Sequence, residues 1–231
     1  MGLMNKRLED ITIRDFLGPS RISSWIPRKA EVKRICEYAR CLDKPRIIDV
    51  GCGKLLASHL FALEGLDVRA IDLNLNPNQK WVFSPLQNLR AYRGDAFSSK
   101  WYKGRNVVFN SWMPLGQNWS YVFYENPSID MIFYVKSKAT GVQPNMPLNP
   151  NNVDSYSVPQ GFLEIDRWKC FGHDDFESDY SPRIESCVGE ALVHVREETF
   201  ERLKERFKLV REKDFQLFGE YPWEKSLPKN F

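Results

Sequence analysis

The 231-residue sequence has no long uninterrupted apolar run: 27% of its residues are charged and its mean hydropathy is −0.47. A membrane span is therefore excluded as an expectation, and the opening MGLMNKRLEDITIRD lacks the apolar stretch of a secretory signal. Cysteines are few. The five of them, Cys36, Cys41, Cys52, Cys170 and Cys187, are odd in number and include no CxxC pair, which argues against a disulfide framework or a zinc site. Free thiols in a reducing, cytoplasmic setting are expected, with no bound metal. An excess of one charge is also missing, since 33 basic side chains face 30 acidic ones for a net +3. That balance lacks the footprint of a polyanion binder, so nucleic acid is not an expected partner. Internal repeats and low-complexity tracts are absent too, beyond a short Asn/Pro-rich segment near 145–152.

What the sequence does contain is a globular composition, 42% hydrophobic and 13% aromatic, suited to one domain over 1–231. Residues 1–27 show no sustained period and read as an N-terminal arm or lid. From Pro27 the pattern becomes helical, with Val32, Ile35, Cys36 and Ala39 on one face and an end near Cys41. Arg46 to Val50 is a short β-branched run of the buried parallel type, stopped by Gly51-Cys52-Gly53. A helix over Lys54 to Glu64 follows, ended by Gly65, and Asp67 to Asp72 makes a second strand. Together they form a βαβ unit.

Further strands are predicted at Leu89 to Arg93, Asn106 to Asn110, Ile129 to Val135 and Ala191 to Arg196. Thr199 is placed to cap a helix carrying Phe200, Leu203 and Phe207, and Lys208 to Leu217 to return as a strand. Between them, 137–182 loses all pattern and reads as an irregular insertion on the substrate side. The fold class expected is α/β, a three-layer sandwich around a mostly parallel, doubly wound sheet.

The glycine loop, Asp49-Val50-Gly51-Cys52-Gly53-Lys54-Leu55, sits where a strand opens into a helix and offers backbone N–H groups to an anionic ligand. Asp72 ends the next strand at the distance where an acid accepts from two ribose hydroxyls, so a nucleoside-bearing cofactor is implied. GxGxxG is incomplete, because its sixth position is Leu56, and GxxxxGK[ST] does not occur. A dinucleotide or a nucleoside triphosphate is thereby disfavoured.

DVGCG after an apolar strand, the acid of AID (Asp72), and Gly94-Asp95-Ala96 after the third strand resemble, in this order, the class I S-adenosylmethionine-dependent methyltransferase family. The resemblance covers about 28–135 and implies a Rossmann-like sheet with a closing antiparallel strand. By resemblance, Gly51, Cys52 and Gly53 line the methionine part of S-adenosylmethionine, with Asp49 supporting the loop. Asp72 takes the ribose hydroxyls, Leu73 packs on adenine, and Asp95, Ala96 and Phe97 hold the base. Asn110, Ser111 and Trp112 end the fourth strand, where sulfonium and acceptor meet. The chain departs from the family at Leu55, which replaces a common third glycine and is bulky enough to narrow the methionine channel. It departs again in the motif Asn110-Ser111-Trp112-Met113-Pro114, which does not support methylation of adenine or cytosine amino groups.

The activity implied is methyl transfer to an unidentified, small acceptor. His173 and Asp174 are the candidate bases, whereas His194, inside a predicted strand, reads as structural. Cys52 reads as a small residue admitting backbone approach, though a helix start can lower a thiol pKa. The alternatives are an inactive methyltransferase-fold binding protein and a nicotinamide-dependent oxidoreductase. Oligomeric state is left open.

Overall fold

The computed structural model describes residues 7–17, 23, 25–75, 86–111, 120–137, 158–172 and 189–227. Eight strands make one sheet: β1 (Trp25–Ile26), β2 (Arg46–Val50), β3 (Asp67–Asp72), β4 (Leu89–Arg93), β5 (Val107–Ser111), β6 (Met131–Ser137), β7 (Phe162–Gly172) and β8 (Gly189–Arg196). Their spatial order is β1-β7-β8-β6-β5-β2-β3-β4. Strands β4, β3, β2, β5 and β6 run parallel, and β8 inserts antiparallel between β6 and β7. Five helices accompany them among the described residues: α1 (Arg14–Leu17), α2 (Lys29–Arg40), α3 (Leu56–Leu63), α4 (Ser120–Glu125) and α5 (Glu197–Arg211).

Two apolar cores form because buried strands alternate their side chains between faces. Ile47 points to the face holding α2, α3 and α5, while Ile48 and Val50 point to the face holding α4. The result is a Rossmann-like three-layer α/β sandwich, and the order reverses between β2 and β5, the position at which such sheets open a crevice at their carboxyl edge.

Several expectations need correction. The stretch before 27 is packed rather than loose where it is described: Ile11, Phe16, Trp25 and Ile26 are buried, and β1 pairs with β7 through Trp25↔Gly172. Trp25, Phe61 and Phe109 form a ring cluster with centroids 4.8 to 6.5 Å apart. The 137–182 insertion contains β7, an eleven-residue strand whose charged residues Glu164, Asp166, Arg167 and Lys169 hide its period; a bulge between Glu164 and Asp166 breaks it further. No strand follows at 208–217, because α5 runs to Arg211 and a short 3-10 turn succeeds it. Thr199 is inside α5 and not its cap, its hydroxyl donating to Asp130 Oδ1 at 2.8 Å.

The four described cysteines, Cys36, Cys41, Cys52 and Cys170, are free and buried. Among the described residues, no helix is long and apolar enough to cross a membrane.

Candidate functional site

The carboxyl edge of the parallel strands brings the sequence motifs into contact through backbone hydrogen bonds. Gly51 and Gly53 adopt φ of 73° and 52°, the left-handed turns that let the chain double back over the end of β3. The N–H groups of Gly51 and Cys52 both donate to the Ile71 carbonyl, at 2.9 and 3.1 Å, so these two amides are committed to the sheet. Gly53 N–H instead donates to Asp72 Oδ2 at 3.0 Å, and Asn74 N–H to Asp72 Oδ1 at 2.8 Å. Gly94 N–H donates to the Asp72 carbonyl at 3.1 Å. Asp72 thus ties together the glycine loop, its own strand and the start of Gly94-Asp95-Ala96, while each carboxylate oxygen keeps a further lone pair.

Leu55 also has a left-handed φ, 72°, at the start of α3, a conformation that costs an L-residue about 1–2 kcal/mol. Its side chain is 5% exposed and packs into the core beside Leu56 and Leu60. The position asks for glycine's backbone geometry, and the leucine side chain turns inward. Narrowing of a methionine channel by Leu55, expected from its bulk, does not follow from this placement.

Below the loop lies a buried polar pair. Asp49 accepts from the Ser58 hydroxyl, and burial pushes its carboxyl up to about 7 despite that bond, with the nearby Asp72 charge adding to the rise. The Cys52 thiol is likewise pushed well up by burial and then by Asp49 and Asp72, so its place before a helix does not make it a thiolate. Asn110 is fully buried; its Nδ2 donates to the Val50 carbonyl at 2.8 Å and its Oδ1 has no partner among the described residues. Ser111 follows at the strand's end, half-buried. Trp112 lies outside the described residues.

The other side of the crevice is apolar and open. Leu73 is 59% exposed, Phe97 44% and Tyr121 45%, and the rings of Phe97 and Tyr121 stack with centroids 6.0 Å apart at 29°. Asp95 is exposed and accepts from the Phe97 N–H at 3.0 Å. Ala96 is buried, its carbonyl accepting from Tyr102 at 2.6 Å. Tyr121 was not singled out by sequence reasoning; its one signal was an unassigned aromatic run, Tyr121 to Tyr124, after the fourth strand motif.

The two candidate bases are not located. Strand β7 ends at Gly172, and His173 and Asp174 lie outside the described residues. His194 is fully buried on β8 opposite Ile132, near the start of β6, with the Tyr124 hydroxyl 2.6 Å from its Nδ1. That puts it at the far end of the strands from the glycine loop.

No family model matches the chain, and no curated protein matches it. Among solved structures, the methyltransferase domain of bacterial CtHen1 is similar over 72% of this chain and 98% of that one, with a TM-score of 0.44 and 7% identity. A dimethyladenosine transferase from Plasmodium falciparum is similar over 78% of this chain and 66% of that one, with a TM-score of 0.43 and 16% identity. A protein of the NADB-Rossmann superfamily from Streptococcus agalactiae is similar over 71% and 67%, with a TM-score of 0.41 and 12% identity. A longer chain from Streptococcus mutans is covered over 48% of its length. The likeness lies in the fold.

Proposed function

We propose that the protein is an S-adenosylmethionine-dependent methyltransferase, the reading carried above all by the convergence of the glycine loop, Asp72 and Asp95 around one open, partly apolar crevice. The residues present suit an adenosine-bearing ligand. Asp72 has lone pairs left for ribose hydroxyls, and Asp95 Oδ2, with no hydrogen bond among the described residues, is placed for an exocyclic amine. Leu73 and Phe97 leave apolar surface open beside them, large enough in side-chain area to cover a base. The space around Gly53 is open, with nothing within 4 Å of a Cβ built there, so a ligand can approach the backbone. Gly51 and Cys52 shape the loop rather than donate, and Asp49 holds the helix start through Ser58.

Bound S-adenosylmethionine supplies a methyl group already activated by its positive sulfur. The chain's own contribution is alignment: Asn110 and Ser111 fix the floor at the end of β5, and orientation of this kind lowers a barrier by about 7–11 kcal/mol in well-aligned systems. An acceptor that must lose a proton is served by His173 or Asp174, which follow β7 in the sequence, as Trp112 follows Ser111. The acceptor is small or is the exposed end of a larger molecule, and the protein acts in the cytoplasm. Isothermal titration with S-adenosylmethionine and with S-adenosylhomocysteine tests the reading. Saturable one-site binding of both is expected; heat from neither, with NADH binding instead, would replace it with an oxidoreductase.

A further inference from the structure

The net charge of +3 is not spread evenly. Between 86 and 105 the chain carries Arg90, Arg93, Lys100, Lys103 and Arg105 against one acid, Asp95, so this segment alone holds more than the whole excess. Arg105 is paired with Asp67 at 3.0 Å. Arg90, Arg93, Lys100 and Lys103 have no carboxylate partner among the described residues, and all four are exposed. The cations of α5 differ, since Arg202, Lys204 and Arg206 alternate with Glu201 and Glu205 on a helix surface.

Three of these cations, Arg90, Lys100 and Lys103, are interleaved with rings, whereas Arg93 lies on the opposite side of β4 with its Nε donating to the Leu73 carbonyl at 3.1 Å. Arg90 and Tyr92 share a side of the edge strand β4, opposite Arg69 and Ile71 of β3. Arg69 donates to the carbonyls of Trp101 and Lys103, at 2.5 and 3.3 Å, which fixes the turn after β4 against that side. The Tyr92 and Trp101 rings lie 5.3 Å apart, with Lys100 Nζ 4.6 Å over the Trp101 ring. Trp101 reaches this place because Gly94 has no side chain: a Cβ there would stand 2.5 Å from the indole. Burial, and after it the charges of Arg105 and Arg90, lower the pKa of Arg69, as a crowd of like charges requires.

Charges on an edge strand also discourage edge-to-edge pairing. That explains Arg90. It explains neither Lys100 and Lys103, which lie beyond the strand, nor the exposed ring of Tyr92 among them. Uncompensated cations spaced along an open edge and broken by aromatic faces suit a phosphate backbone with unstacked bases. We propose that the β4 edge and the turn that follows it bind single-stranded nucleic acid, with Arg90, Lys100 and Lys103 along the phosphates and Tyr92 stacking on a base. The proposal runs against the expectation drawn from overall charge, and it does not rest on methyl transfer.

The test is fluorescence anisotropy of the full chain with a labelled oligouridylate of about 12 nucleotides. Three phosphate contacts at about −0.7 each give a slope near −2 for log affinity against log salt, about a 20-fold loss between about 50 and 200 mM. Joint substitution Arg90→Gln, Lys100→Gln and Lys103→Gln is expected to bring that slope near zero and to weaken low-salt binding at least tenfold. Tyr92→Ala is expected to cost about tenfold with the slope unchanged. Arg202→Gln with Lys204→Gln leaves binding as it was, and thermal melting checks that each variant folds. Salt-independent or absent binding would overturn the proposal, whether or not S-adenosylmethionine binds. So would polyglutamate of equal charge binding as tightly with no effect of Tyr92→Ala, which would assign the face to acidic proteins.

Discussion

The two halves of the sheet divide the work differently. Strands β4, β3, β2 and β5 run parallel and carry polar groups at their carboxyl ends: Asp72 shared among three backbone segments, Asp49 buried with its carboxyl raised to about 7, and Asn110 with an oxygen unpartnered among the described residues, beside Leu55 in a left-handed turn. Strands β1, β7 and β8 meet antiparallel and close the core from the other side, with Trp25 driven against Phe61 and Phe109. The left-handed leucine and the carboxylates Asp49 and Asp72 gather at the carboxyl edge of the parallel strands, while the ring cluster around Trp25 packs the antiparallel part against the core. The comparison teaches that stability and ligand affinity are separable here by mutation.

Breaking the packed half should cost the most. Trp25→Ala removes a fully buried indole from the ring cluster and is expected to destabilise by about 3–5 kcal/mol, read by denaturant unfolding. Where the variant still folds, its affinity for S-adenosylhomocysteine should be unchanged. At the polar edge the pattern should reverse. Asp72→Asn keeps the shape but weakens hydrogen bonds to an ionised acceptor, about 1.5–3 kcal/mol, which titration calorimetry should show as a loss of roughly ten- to 100-fold in cofactor affinity. Its melting temperature should move far less than that of Trp25→Ala.

A pH profile sharpens the same contrast. The folded Asp49 carboxyl is raised from 3.8 to about 7, so the folded state holds its proton more tightly than the unfolded chain. Its contribution is complete below the unfolded value and is lost as pH rises through about 7, a change on the order of a few kcal/mol. Buried His59, lowered to about 4, has the opposite slope over pH 4 to 6.5 and partly offsets it. Asp49→Asn should therefore leave stability rising with pH across that window, as measured by urea midpoints, where the parent protein changes less.

The smallest expected effect concerns Leu55. Truncation to alanine loses buried surface and keeps the left-handed strain, whereas Leu55→Gly loses the same surface and releases it. Glycine should be more stable than alanine here by about 1 kcal/mol, the reverse of their order in a helix interior.

What was readable in the sequence follows the same division. The βαβ unit from Arg46 to Asp72 makes its contacts over short separations, so its hydrophobic period and glycine punctuation were enough to place it. Leu89 to Arg93 was placed to the residue, and Gly94-Asp95-Ala96 with it. Trp25 was not found, because its burial is decided by a partner more than 140 residues away, as in Trp25↔Gly172, and β7 was not found because its charges mask its alternation. Tyr121 was missed for a related reason: its exposure beside Phe97 exists only once α4 is set against the sheet. A net charge summed over 231 residues also does not register that Arg90, Lys100 and Lys103 are exposed close together on β4 and the turn after it.

A crystal structure grown with S-adenosylhomocysteine tests the central claim most directly. The expected result is ribose hydroxyls on the Asp72 carboxylate, adenine between Leu73 and Phe97 with its amine toward Asp95, and the amino-acid end over Gly53. Ligand bound elsewhere, or no ligand at saturating concentration with the loop in the same conformation, would contradict it.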